Sequence, residues 1–211
     1  MEILNYQQRQ KPDNSNDYEF YATPKFVYHL DSNFRKNLSK IYEDEIAENS
    51  NILDLMSSWD SYLPKNIKYK KVIGHGLNKD ELDRNKAFDN YWIQNFNTNQ
   101  SIPLENETID FCLMVAAWQY LQYPEKIAEE IARILKNKGK IIISFSNRAF
   151  WHKAPNIWTY STEEERIDYV RKVLISNGFC EPKVIKKFTN GRSFLPFMTN
   201  DPFYCIISEK K

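Results

Sequence analysis

Ile109-Asp-Phe-Cys-Leu-Met-Val-Ala116 is the most apolar run of the chain, and Lys140-Ile-Ile-Ile-Ser-Phe-Ser146 has the same character. Both runs are too short for a buried helix and apolar on both faces, so each predicts a strand covered on both sides. Pro124 to Asn137 lies between them and carries isoleucine and leucine at helical spacing. A strand, an amphipathic helix and a second strand in this order predict a parallel pair joined by a right-handed crossover.

The same alternation extends in both directions along the chain. Helices are predicted from Asp31 or Ser32 to Glu48, from Lys79 to Asn85, and from a Thr162 cap to Asn177 with a stop at Gly178. Further strands are predicted at Asn51–Met56, Lys70–Gly74, Tyr91–Gln94, Lys183–Phe188 and Phe203–Ser208. Gly139 suits a left-handed residue that ends the helix before the second apolar run. The pattern predicts an α/β fold, a doubly wound, mostly parallel seven-stranded sheet with helices on both faces.

Length and composition restrict the class of protein. A chain of 211 residues suits one domain, which we place at residues 25–211 after a polar, loosely ordered N-terminal arm at 1–24. The 29 basic and 28 acidic side chains give a net charge of +1, which is not the basic excess of a dedicated nucleic-acid binder. No apolar run approaches the ~20 residues that span a bilayer, so no membrane association is expected.

The three cysteines are far apart and lie in apolar stretches, without the spacing of a metal site. We expect reduced, buried thiols, a cytoplasmic protein and no bound metal.

Any ligand should bind beyond the carboxyl ends of the strands, where the strand order reverses. The loop that follows the first predicted strand, 56–64, is therefore the expected centre of a site. Asp54 could orient loop amides or a ligand ammonium, or only cap the turn. Ser57 and Ser58 could contact a ligand or serve as turn residues, and Trp59 is more typical of packing than of a stacking platform.

Several segments together resemble a known family. They are Ile-Leu-Asp-Leu at 52–55, Val-Ile-Gly at 72–74, Ile-Asp-Phe-Cys-Leu-Met-Val at 109–115, Gln-Tyr-Leu-Gln-Tyr-Pro-Glu at 119–125, Ile-Ala-Arg-Ile-Leu-Lys-Asn-Lys-Gly at 131–139 and Ile-Ile-Ile-Ser-Phe-Ser-Asn-Arg at 141–148. Over roughly Phe34 to Ser208 the chain is similar to the class I S-adenosylmethionine-dependent methyltransferases, and to a subgroup with an altered glycine loop. The resemblance implies a Rossmann-like methyltransferase fold and S-adenosylmethionine as the cofactor.

The chain departs from this family at three cofactor contacts. Met56, Ser58 and Asp60 stand where the family has glycines. Gly76 stands where an acid takes the ribose hydroxyls, with Asn78 as a substitute, and Asn95 replaces the acid near the adenine. The cofactor-binding residues that the resemblance implies are Asp54, Met56, Ser57, Ser58, Gly74, His75, Gly76, Asn78, Asn95, Phe96, Asn97 and Ala116.

Candidate catalytic residues are few, because methyl transfer from a sulfonium requires alignment more than acid–base help. Tyr120 occupies the position where many relatives have histidine, and His152 lies in the segment after the fifth strand, which could form a lid. An isolated histidine such as His75 is more often a hydrogen-bonded structural residue. Gly74 and Gly76 most simply mark turns or close approach of the backbone.

Three hypotheses follow for function. The first is methyl transfer to an acceptor that is most simply a small molecule. The second is an inactive relative that serves as a binding module, with Met56 and Trp59 filling the cofactor cavity. The third, a nucleotide-dependent oxidoreductase, is disfavoured because the chain has no GxGxxG motif.

Overall fold

The computed structural model describes residues 2–188 and 201–211. The seven strands of this part form one sheet in the order β3-β2-β1-β4-β5-β7-β6. They are β1 Asn51–Asp54, β2 Lys71–Gly76, β3 Asn90–Ile93, β4 Ile109–Val115, β5 Leu135–Phe145, β6 Lys183–Lys187 and β7 Phe203–Glu209. The first five pair in parallel, while β7 lies antiparallel to both β5 and β6. The predicted fold class is confirmed.

The helices of the described residues are α1 Tyr6–Arg9, α2 Asp17–Phe20, α3 Ser32–Glu45, α4 Lys79–Arg84, α5 Pro124–Ile134, α6 Asn156–Thr159 and α7 Glu163–Ser176. Local capping explains where the longer ones begin. The Asp31 side chain accepts the Phe34 N–H at the start of α3, and Thr162 forms a capping box with Glu165 at the start of α7. Gly178 ends α7 with φ +88°, as predicted.

Two apolar layers sandwich the sheet, because side chains alternate between its faces. On β4, Cys112 and Met114 join the layer formed with α5 and α7, while Phe111 and Leu113 join the layer formed with α3. This double burial is the physical reason why the run is apolar at consecutive positions.

The prediction for the end of α5 was wrong. The helix ends at Ile134 rather than Asn137, since Leu135 already pairs with Ile109 and the register then shifts before Lys140. Lys138, not Gly139, takes the left-handed conformation, with φ 61°. Gly139 is required by close approach instead, because a Cβ there would lie 2.9 Å from the Lys136 carbonyl oxygen.

The N-terminal arm lies along the carboxyl edge of the sheet. The Arg9 guanidinium pairs with Glu125 at the start of α5 (2.6 Å), and both residues are buried. Glu125 also accepts the Ile3 and Leu4 N–H groups. These contacts hold the arm through long-range polar pairs, which a polar sequence without periodicity does not reveal.

Within the described residues, no helix is long and apolar enough to cross a bilayer. The three cysteines are free thiols, and Cys112 and Cys205 are buried.

Candidate functional site

A cavity of about 660 Å³ opens at the carboxyl ends of β1 to β4. It lies where the strand order reverses between β1 and β4, the position at which open α/β sheets bind ligands. Its lining includes eleven of the twelve predicted cofactor residues: Asp54, Met56, Ser57, Ser58, His75, Gly76, Asn78, Asn95, Phe96, Asn97 and Ala116. Gly74 does not line it, because this glycine faces the Phe88 ring, which an added Cβ would approach to 2.3 Å.

The loop after β1 turns sharply at Met56, whose φ of 53° is in the left-handed region that favours glycine. The Met56 side chain packs against the apolar core, and Trp59 lies on the Tyr28 ring with centroids 4.6 Å apart. Trp59 is therefore a packing residue, as expected. The hypothesis of an inactive relative places Met56 and Trp59 inside the cavity. In the structure these two side chains leave the cavity open.

His75 ties this loop to its neighbours. Its Nδ1 accepts the Met56 N–H (3.0 Å) and its Nε2–H donates to the Gln94 carbonyl after β3 (2.8 Å), which fixes one neutral tautomer. The ring stacks on Phe96 at 4.0 Å and is fully buried. Burial lowers the pKa of His75 to about 4. The expectation of a hydrogen-bonded structural histidine is confirmed.

Asp54 ends β1 as a buried carboxyl group at the floor of the cavity. It accepts the Ser57 hydroxyl at 2.6 Å. Burial raises the pKa of Asp54 to about 7, although the Ser57 and Ser61 hydroxyls oppose the rise. A cation placed beside it would favour the ionised form.

The end of β2 cannot carry an acid. A Cβ at Gly76 would lie 2.6 Å from the Ser57 carbonyl oxygen, so only glycine fits between the two loops. Asn78, the predicted substitute, caps α4 with its oxygen and donates both amide hydrogens to the Tyr21 and Ala22 carbonyls. Glu81, in the first turn of α4, brings a carboxylate to the same cavity.

Glu81 was missed by the sequence analysis. Its carboxylate lines the cavity and accepts the Ser58 hydroxyl (2.5 Å) and the Lys25 N–H (2.6 Å). It therefore connects the loop after β1 with the start of the domain at Lys25. A helical acid that follows an Asn cap is typical of a first-turn acid for the helix dipole, so no pattern in the sequence marks Glu81 as a site residue.

At the end of β3, an acid also approaches from the arm. The Asp17 carboxylate accepts the Asn97 amide (3.1 Å) and the Asn95 amide (3.3 Å), and it is itself paired with Lys11 (3.0 Å). Lys153 lies 3.6 Å away on the other side. Asp17 lines the cavity beside Asn95, the residue that stands where the family has an acid near the adenine.

The two candidate catalytic residues are placed differently. Tyr120 lines the cavity, where its hydroxyl accepts the Phe150 N–H (3.0 Å), and burial raises its pKa to about 12. His152 is not among the lining residues. Its ring contacts Phe20 and its carbonyl accepts the Asp13 N–H, so it anchors the arm instead.

Other lining residues come from residues 21–29 and from the segment after β5. Those that the sequence analysis did not name as site residues include Tyr21, Lys25, Tyr28, His29, Arg148 and Phe150. The segment after β5 was predicted as a lid, but its convergence with residues 21–29 on one cavity required the fold.

Residues 61–143 match a family model described as a methyltransferase domain. The match runs from the loop before β2 into β5. Over these residues the chain is similar to a methyltransferase domain. A search of curated proteins found no match.

Solved structures share the architecture of this chain. A SAM-dependent methyltransferase from Thermotoga maritima, described as a possible histamine N-methyltransferase, is 20% identical, with a TM-score of 0.59 and coverage of 85% of this chain and 90% of that one. One from Mesorhizobium loti is 13% identical, with a TM-score of 0.56 and coverage of 81% and 96%. Haemonchus contortus phosphoethanolamine N-methyltransferase 2, solved with S-adenosyl-L-methionine, is 13% identical, with a TM-score of 0.60 and coverage of 87% and 54%. At these identities the likeness concerns the fold.

Proposed function

We propose that this protein is an S-adenosylmethionine-dependent methyltransferase that acts on a small-molecule acceptor. The observation that carries the proposal is the open cavity at the switch point of the sheet. Its volume of about 660 Å³ lies within the ~300–1,000 Å³ of small-molecule sites. The side chains that replace the family's glycines turn away from it or bond to its walls.

The donors and acceptors around the cavity fit the groups of the cofactor. Asp54 would face the ammonium, and the hydroxyls and amides of the loop after β1 would face the carboxylate. Position 76 cannot carry an acid, so Glu81 supplies the carboxylate that accepts the ribose hydroxyls. Asn95, together with Asp17, would face the adenine amino group. The sulfonium of the bound cofactor would supply an electrophilic methyl group.

The chain's own contribution is alignment and exclusion of water. The arm covers the cavity from one side and the segment after β5 covers it from another. The Tyr120 hydroxyl, whose pKa of about 12 keeps it protonated, can donate a hydrogen bond to the acceptor but is a poor base. His152 lies outside the cavity lining and is not proposed as a base.

The inactive alternative needs a filled cofactor cavity. Met56 packs into the core and Trp59 packs on Tyr28, so neither performs that role. We therefore prefer the enzyme.

Binding of S-adenosylhomocysteine tests the proposal. Calorimetry should show saturable binding with one site per chain. Glu81→Gln should weaken it by about tenfold or more, since a hydrogen bond to a charged group is worth roughly 1.5–3 kcal/mol. Glu105→Gln removes the same charge at an exposed position outside the cavity lining and should leave binding unchanged. No heat and no thermal shift at millimolar ligand would refute the cofactor assignment.

A further inference from the structure

The cavity continues beyond the residues assigned to the cofactor. Its far part lies between residues 21–30 and the segment 147–151 after β5. The side chains there belong to Tyr21, Lys25, Tyr28, His29, Tyr120, Arg148 and Phe150. If the proposed function holds, this is the space left for the acceptor.

The carboxylates around the cavity are already engaged within the protein. Asp17 is paired with Lys11 and lies beside Lys153, while Glu81 accepts the Ser58 hydroxyl and the Lys25 main-chain N–H. Lys153 in turn is held by Asp13 at 3.0 Å and by the Ser15 hydroxyl and carbonyl. The ion pairs offset the charges of Asp17 and Lys153. Both donors to the Glu81 carboxylate are neutral, so it keeps its charge, and the proposed function assigns it to the cofactor.

The remaining acids near the far part are bonded within the protein. Asp60, in the loop after β1, accepts the Tyr62 N–H and is hydrogen-bonded to the Tyr28 side chain, both neutral donors. Asp201 is paired with the Arg148 guanidinium at 2.5 Å. Burial raises the pKa of Asp54 to about 7, and this residue belongs to the floor of the cofactor part.

Lys25 is different. Its Nζ lies 5.2 Å from the Phe20 ring centroid and 5.7 Å from that of Tyr21, and no carboxylate of the described residues lies within ion-pair distance of it. The Glu81 carboxylate holds the Lys25 main chain rather than its ammonium. Desolvation lowers the pKa of His29 nearby; Lys25 and Arg148 lower it as well, and Glu81 opposes them. Of the two lysines that line the cavity in the described residues, Lys153 is paired with Asp13 and Asp17, whereas Lys25 has no carboxylate within ion-pair distance.

Aromatic rings form the other part of the walls of the acceptor space. Tyr120 and Phe150 have nearly parallel planes, 28° apart with centroids 6.2 Å apart, and the His29 ring meets Phe150 edge-on at 5.7 Å. Such surfaces favour a flat, apolar body over a flexible polar one.

We infer that the acceptor is a small anionic molecule with an aromatic or other flat apolar body, whose acid group is bound by Lys25. The inference rests on the proposed function, because it assigns to the acceptor the space that the cofactor leaves. An ammonium held against two rings without an acidic partner is available for a charge-assisted hydrogen bond to a carboxylate or phosphate. The nearby Arg148 would add a weaker attraction, since Asp201 already neutralises it.

Three probes of one size and different charge test the inference: benzoate, benzyl alcohol and benzylammonium. Calorimetry is run on protein saturated with S-adenosylhomocysteine. Benzoate should bind at least about tenfold tighter than benzyl alcohol, and benzylammonium weakest of the three. Lys25→Gln should abolish most of the benzoate preference, and Arg148→Gln should reduce it less.

Lys65→Gln provides the matched control, since it removes one positive charge at an exposed turn outside the cavity lining. Equal or tighter binding of the neutral or cationic probe, absence of benzoate binding at millimolar concentration, or equal behaviour of the Lys25 and Lys65 variants would overturn the inference. Each variant is first titrated with S-adenosylhomocysteine alone. Failure of that step in the unmodified protein refutes the proposed function, whereas cofactor binding without anion preference refutes only the acceptor class.

Discussion

The loop after β1 and the N-terminal arm reach the same cavity from opposite sides, but they are held in different ways. The loop, residues 55–62, follows a segment that resembles the family, and it is fixed by bonds to neighbouring strand ends: Ser57 to Asp54, and Met56 to His75. The arm carries no motif and is fixed by pairs distant in sequence, among them the buried pair of Arg9 with Glu125. The difference teaches that the acids absent from the family positions can be supplied from elsewhere on the chain.

The largest expected effect tests whether the arm is part of the cooperative domain. Arg9→Met leaves the Glu125 carboxylate buried without its cation, and breaking such a pair costs about 3–5 kcal/mol. Denaturant unfolding should therefore show a lower free energy of unfolding. Arg171→Met, which breaks an exposed ion pair with Glu181, is the control and should have no measurable effect.

The opposite outcome would support the loosely ordered arm that the sequence predicts. In that case Arg9→Met would leave the unfolding transition unchanged and only accelerate proteolysis within residues 2–24. The arm would then be a mobile wall of the cavity, and the loop after β1 a fixed one.

The second test concerns the loop. His75→Phe keeps a ring of similar shape but leaves the Met56 N–H and the Gln94 carbonyl without their partner. Each unsatisfied buried group costs about 1–3 kcal/mol, so we expect a loss of about 2–4 kcal/mol in thermal or denaturant unfolding. An unchanged transition would mean that the histidine does not connect the loops after β1 and β3.

The third test uses pH, because two buried groups of the loop respond in opposite directions. The folded-state pKa of His75 is lowered to about 4, so its contribution to stability is lost as the pH falls from about 6.5 toward 4. The folded-state pKa of Asp54 is raised to about 7, so its contribution is present at low pH and is lost as the pH rises through about 7. Between pH 4 and 6.5 the two contributions offset each other.

Asp54→Asn removes one side of this balance. The free energy of unfolding of the variant should then rise between pH 4 and 6.5 by roughly 3 kcal/mol more than that of the unmodified protein. Urea unfolding at a series of pH values measures the difference. Parallel profiles for the two proteins would show that the Asp54 carboxyl is not buried in the way described.

The smallest effect on ligand binding is expected at Met56, which stands where the resembled family has a glycine. Met56→Gly relieves a left-handed conformation, worth about 1 kcal/mol, while it loses packing against the core. Because the Met56 side chain does not fill the cavity, binding of S-adenosylhomocysteine should change by less than about threefold. A much tighter complex would show that the side chain obstructs the site.

Much of the fold followed from sequence because its signals are local. The apolar runs at β4 and β5, the Thr162 capping box and Gly178 each act within a few residues, and each is found where predicted. The prediction for Gly139 was wrong because the sequence alone does not distinguish a glycine in a left-handed turn from a glycine required by close approach of the backbone.

The candidate site was accessible only in part. Positions after the strands could be named from the family resemblance, and eleven of twelve line the cavity. The sequence does not identify Glu81, Asp17 and Lys25 as site residues. Charged side chains in polar segments resemble a solvated surface until the fold brings them to one wall of the cavity. Their roles depend on partners 23 to 80 positions away in sequence.

Calorimetric titration of the unmodified protein with S-adenosylhomocysteine tests the central claim most directly, namely that the cavity accepts an adenosyl group without the family's glycines. The account predicts saturable binding at one site per chain, weakened by Glu81→Gln and not by Glu105→Gln. A flat titration of correctly folded protein at millimolar ligand would contradict it.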